Sequence, residues 1–163
     1  WLKIQFTPIE KQGEQKPADK VEPKFHKGEW ITNGDYTWQI ANVTDLDYIL
    51  ESQNRNIIYD TISHVDEHFH SFSIQDAKDG DVLSDGTNIF IFKDLLSDGS
   101  VMSYCDYDTN RCESDAFCPF LMNLVCLKIT PATKEQRDAL SKAMHEAGYK
   151  WDDRKLELEK FSK

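Results

Sequence analysis

The sequence predicts an α+β protein, mostly antiparallel β, made of one or two small SH3-like β-barrel units with a C-terminal helix followed by a β-hairpin. Three observations carry that expectation. A phrase recurs, first as Gly28-Glu29-Trp30-Ile31-Thr32-Asn33-Gly34 and then, 52 residues on, as Gly80-Asp81-Val82-Leu83-Ser84-Asp85-Gly86. Short alternating or apolar runs separated by turn residues fill most of the chain, as in small antiparallel sheets. A single clear helical pattern stands near the end.

The recurring phrase has a physical sense. The leading glycine permits an entry turn, the acid beside it keeps that corner in water, and two apolar residues begin a strand. Asn-Gly or Asp-Gly then turns the chain back, because both tolerate positive φ. At the same 52-residue spacing, Trp38 and Ile40 are answered by Phe90 and Phe92 in the strand that follows. Two similar hairpins are expected, each opening a small β unit, whether or not they share an origin.

Residues 1–24 form the first segment. Trp1, Leu2, Ile4 and Phe6 could make a short strand or helix end. From Glu10 to Lys24 the only apolar side chains are Ala18 and Val21, besides two prolines, so this stretch reads as a solvated linker. Residues 25–75 are the first β unit, with strands expected at Gly28–Asn33, in YTWQIANV, in DYILES, at Ile57–Tyr59 and in HFHSFSI. Residues 76–163 are the second. It has IFIFKDLL and SVMSYCDYD as strands, a polar loop from Thr109 to Ala116, and a buried strand in FCPFLMNLVCLKI after the break at Pro119.

The helix is expected over 134–147. Thr133 and Gln136 have capping-box spacing, and Leu140, Ala143, Met144 and Ala147 make an apolar stripe. Gly148 stops it, with Tyr149 placed to touch Met144. The segment 149–161 then reads as strand, turn at Asp152-Asp153, and strand, with Trp151, Leu156 and Leu158 packed on the helix. A short helix from Asp153 is the alternative.

Some phrases are familiar. EKQGEQKPADKVEPKF, IQDAKDGDVL, PATKEQRDAL and EAGYKWD resemble a family of uncharacterised, phage- or mobile-element-like proteins of gut anaerobes. The likeness covers Glu10 to about Lys160. The family commonly reads LWTIQDAKDGDVL, where this chain has Phe72-Ser73-Ile74, and the front of the chain departs from the family's WLEKQGEQKP. The resemblance implies a modular intracellular protein and supplies no catalytic residue.

Composition sets further bounds. Of 163 residues, 29 are acidic and 19 basic, a formal charge of −10. An acidic surface repels phosphate backbones at long range, so nucleic acid is an unlikely partner and another protein is the expected one. A chain of this size buries roughly two thirds of its unfolded surface and needs no metal or disulfide to fold. No transmembrane segment or signal peptide is legible, which points to the cytoplasm. An opening Trp1 reads as a processed end or as a piece of something longer, and a signal peptide already removed would look the same.

No chemistry-bearing motif stands out. Cys105, Cys112, Cys118 and Cys126 lack the tight pair usual in zinc sites. They are expected as plain thiols, with one disulfide such as Cys112–Cys118, or metal binding, as alternatives. In HVDEHFH, His68 and His70 would share a strand face and could bind metal, although Phe72 and Ile74 continue that face and favour an ordinary half-buried strand. DAKDGD lacks the twelfth-position acid of a calcium loop, and no phosphate loop is present. The expected function is a non-enzymatic protein- or peptide-binding module with no cofactor, and Trp30, Tyr36, Trp38 and Tyr48 are the candidate binding aromatics. A nucleic-acid-associated accessory protein and a Cys/His-centred enzyme are the rivals.

Overall fold

A computed structural model describes residues 22–111, 116–119, 122–124 and 128–161. Most of the expected linker, and Cys112 and Cys126, lie outside the described residues. The described residues are mostly antiparallel β with two α-helices.

The first sheet holds β1 (Trp30–Thr32), β2 (Thr37–Val43), β3 (Asp47–Glu51), β4 (Ile57–Thr61) and β5 (His70–Ser71), in the order β4-β3-β2-β1-β5. Helix α1 (Ile62–His68) follows β4 directly. The second sheet holds β6 (Val82–Ser84), β7 (Asn88–Leu95), β8 (Val101–Asp108), β9 (Phe117–Cys118), β10 (Met122–Leu124) and β11 (Thr130–Pro131). Its order is β10-β8-β7-β6-β11, with β9 also on β8. Helix α2 (Lys134–Glu146) and the hairpin of β12 (Tyr149–Asp152) and β13 (Glu157–Lys160) follow. Among the described residues neither sheet closes into a barrel.

The recurring phrase folds the same way twice. In β1–β2 the partners are Trp30 with Gln39, Ile31 with Trp38 and Thr32 with Thr37; in β6–β7 they are the same positions displaced by 52. The entry corner repeats too. Gly28 N–H donates to the Ile40 carbonyl at 2.7 Å, and Gly80 N–H to Phe92 at 2.9 Å. At the far turn Asn33 Oδ1 accepts from the Asp35 and Tyr36 amides, and Asp85 Oδ1 from those of Thr87 and Asn88. The irregularity at Ile40/Asn42 recurs at Phe92/Asp94, and in each unit a late two-residue strand returns to pair with the first.

Burial follows the alternation. Ile31, Ile40, Tyr48, Leu50, Ile62 and Val65 centre the first core. Leu83, Phe90, Phe92 and Val101 fill one side of the second sheet, while Ile89, Ile91 and Cys105 on the other meet Leu140 and Met144 of α2. The expected capping box is made: Thr133 Oγ1 accepts from Gln136 N–H, and Gln136 Oε1 accepts from Thr133 N–H at 2.9 Å.

Three expectations change. The strand read in HFHSFSI is the last residue of α1, two residues of β5 and a 3₁₀ turn at Ile74–Asp76. Ile62, Val65 and Phe69 are buried at helical spacing, and Thr61 caps the helix by accepting from His64 N–H. The final turn falls at Asp153–Leu156, not at Asp152-Asp153, and Leu156 sits in it at φ 54°. Leu156 therefore leaves the helix contact to Trp151 and Leu158 and lies instead over Gly80.

Candidate functional site

The apolar surface gathers at one edge of the first sheet. Strand β4 is paired on one side with β3, through five residue pairs from Asp47–Thr61 to Glu51–Ile57. On its other side no strand pairs among the described residues. Its outer amides and carbonyls form a template for another extended chain.

Both faces of β4 carry exposed apolar groups. Ile57 and Tyr59 lie on the face away from the core, 57 % and 72 % exposed. Ile58 lies on the other face opposite the fully buried Leu50, yet stays 37 % exposed, because the core stops at the sheet's rim. Leu46, 76 % exposed, stands in the β2–β3 turn, where its carbonyl accepts from Ile62 N–H at 3.0 Å. Among the described residues, four of the five exposed large hydrophobic side chains thus lie on or beside β4; the fifth is Tyr36. Scattered exposed apolar side chains are ordinary, but a contiguous group along an open edge is not.

The edge is held firmly from behind. Tyr48 Oη accepts from the buried Phe25 amide at 2.9 Å and donates to Asp66 Oδ1 at 2.8 Å. Asp66 also accepts from the Lys24 amide. Burial first, then the Asp66 carboxylate, pushes the Tyr48 hydroxyl up to about 12. This cluster fixes residues 24–25 and α1 against β3. Acidic groups flank the edge: Asp47 and Glu51 on β3 and Asp60 on β4.

Beside this edge α1 presents an imidazole pair. The His64 and His68 rings stand 4.5 Å apart between centroids, tilted by 31°. His64 Nδ1 is 2.8 Å from Asp60 Oδ2, and His68 Nδ1 is 2.9 Å from the His64 carbonyl oxygen.

The sequence candidates are placed as follows. Tyr48 and Trp30 are buried, Trp38 packs against the first core, and Tyr36 is exposed at the β1–β2 turn. Trp30 also borders a cleft between the first sheet and the start of α2, where Arg55 pairs with Glu135. His68 and His70 do not share a face: His68 ends α1, whereas His70 opens β5 and its Nε2 lies 2.9 Å from Asp76 Oδ1. The strand geometry assumed for this pair is replaced by helical geometry, in which His64 is the neighbour of His68. Cys105 is fully buried between β7 and α2, and burial pushes its thiol up to about 12. Cys118 is half-buried on β9 and its thiol bonds to Asp106; both cysteines are free thiols. Among the described residues no group of three or more His, Cys, Asp or Glu side chains is placed to hold a metal. Sequence reasoning read Ile57–Tyr59 as a strand but not as an open edge, and paired His68 with His70 rather than His64; the available signal for the edge was Ile57-Ile58-Tyr59, an apolar run without alternation.

No family model matches the chain, and no similar curated protein or solved structure is found. No helix among the described residues is long and apolar enough to cross a membrane.

Proposed function

We propose that this chain is a protein-binding module that takes up an extended segment of another protein along the outer edge of β4. The observation that carries the reading is an edge strand exposed on both faces, with Ile57, Ile58 and Tyr59 in a row. An added strand gains affinity from main-chain hydrogen bonds and specificity from alternate side chains on the two faces. Covering the exposed apolar area of these side chains contributes about 25 cal/mol per Å², before the entropic cost of association. Asp47, Glu51 and Asp60 beside the edge, on a chain of charge −10, favour a segment with apolar residues at alternate positions and Lys or Arg between or flanking them. The two sheets, with a shared strand order along their main path and a last strand in each returning to pair with the first, are read as open SH3-like units. Set beside the sequence phrases, this gives a cytoplasmic module of a phage- or mobile-element-type protein.

The test is selection from a displayed random-peptide library on the whole chain, with counter-selection on Tyr59→Lys. An exposed substitution of this kind changes stability by only about 0.5 kcal/mol, so the variant remains folded. The expected result is a set of alternating apolar–basic peptides that lose at least about tenfold in affinity on the variant. Peptides that bind both proteins equally would contradict the proposal. So would a chain that pairs with its own copy through β4 and dissociates on Tyr59→Lys.

A further inference from the structure

We infer that His64 and His68 form a two-histidine site for a borderline divalent transition-metal ion, of the class of Zn²⁺ or Ni²⁺. The inference is independent of the strand-addition reading.

The two residues are four apart on α1, so their side chains stack on one face of the helix. Both Nδ1 atoms face groups that only accept. Asp60 Oδ2 accepts a hydrogen bond from His64 Nδ1–H at 2.8 Å, and the His64 carbonyl accepts one from His68 Nδ1–H at 2.9 Å. In the neutral rings this fixes the proton on Nδ1 and leaves the Nε2 lone pair of each as the donor atom. A carboxylate or backbone carbonyl behind the imidazole is the usual support of metal-binding histidine, where it sets the tautomer and raises ligand basicity.

The spacing also fits. An ion about 2.0–2.1 Å from each Nε2 would hold the two ring centroids about 4.5–5.3 Å apart, for ligand angles between about 90° and 110°. The rings stand 4.5 Å apart. That separation falls within the range a shared ion allows. The His64 side chain is 52 % exposed and His68 is exposed, so water or a donor from a bound partner can complete the coordination. His70 offers a contrast: its Nε2 is taken up by Asp76 at 2.9 Å, which removes it as a third ligand in this arrangement.

The test is a Zn²⁺ titration of the whole chain in mildly alkaline buffer, read by ¹⁵N imidazole spectra, which resolve each histidine ring and its tautomer. Before metal, His64 and His68 are expected as Nδ1–H tautomers. On titration their Nε2 signals move together, while those of His26, His70 and His145 stay. His64→Ala is expected to abolish the response of His68, and His68→Gln that of His64. Asp60→Asn should weaken binding by about tenfold while the rings remain the ligands. Nε2–H tautomers in the metal-free chain would overturn the inference. So would a His68 response that survives His64→Ala, or zinc uptake that leaves both rings unmoved because thiols take the metal.

Discussion

At the scale of the residue, the first unit turns on one hydroxyl. Tyr48 is wholly buried, and its Oη satisfies the Phe25 amide while donating to Asp66. Tyr48→Phe keeps the ring but strands that amide away from water, and a buried unpaired donor costs about 1–3 kcal/mol. We expect chemical denaturation to show a loss in that range; no loss would mean that water replaces the hydroxyl. Asp106 is the opposite case. It is buried on β8, one carboxylate oxygen has no partner, and burial raises its pKa from the ordinary 3.8 in spite of Arg111 nearby. Because the folded value lies above the unfolded one, the folded state holds the proton more tightly. Stability therefore falls as pH rises from the ordinary carboxyl range through the folded value, and is flat beyond. Asp106→Asn should remove that slope and melt higher than the parent at about pH 7, with the gap closing in acid. A lower melting temperature at neutral pH would contradict this. Neither residue was legible alone: in DYILE the alternation allows Tyr48 on either face, and its deciding partner, Asp66, lies 18 residues away.

At the scale of the element, the repeated corner is the part most legible in the sequence. Glycine, acid, apolar pair, hydroxyl, Asn/Asp and glycine each act locally, so reading them in order gives the turn, the strand and the return. The two corners differ only in what lies beyond them. Gly28 and Gly80 both sit at φ 90°, but a Cβ on Gly28 would meet nothing within 4 Å, whereas one on Gly80 would come within 2.8 Å of Leu156 Cδ2. Left-handed backbone costs a non-glycine residue roughly 1–2 kcal/mol. Gly28→Ala should lose about that much in denaturant melts, and Gly80→Ala more, since the β12–β13 turn must also shift; equal losses would show that the Leu156 tip moves freely. Helix α1 was not legible for the converse reason. It has only two turns, its buried face is Ile62, Val65 and Phe69, and His, Asp and Glu between them hide the period. Only the Thr61 cap marked its start.

At the scale of the whole molecule, two sheets of the same strand order meet where the 52–55 loop touches the first turn of α2. Arg137 donates to the Gln53 carbonyl and to Asn54, and Arg55 pairs with Glu135. Such contacts join residues 80 or more apart in the chain, and no local pattern announces them. Position in the whole also makes β4 what it is: the same Ile57-Ile58-Tyr59 in the middle of a sheet would be core, and only its place at the end of the order exposes it. The claim that this edge receives a partner's strand is tested most directly by amide hydrogen exchange with and without a selected peptide. The account expects new protection at alternate amides of Ile57–Thr61, those facing outward from β3, with little change in the second sheet. Protection that appears instead along α2 or in the cleft beside Trp30, with β4 unchanged, would contradict it.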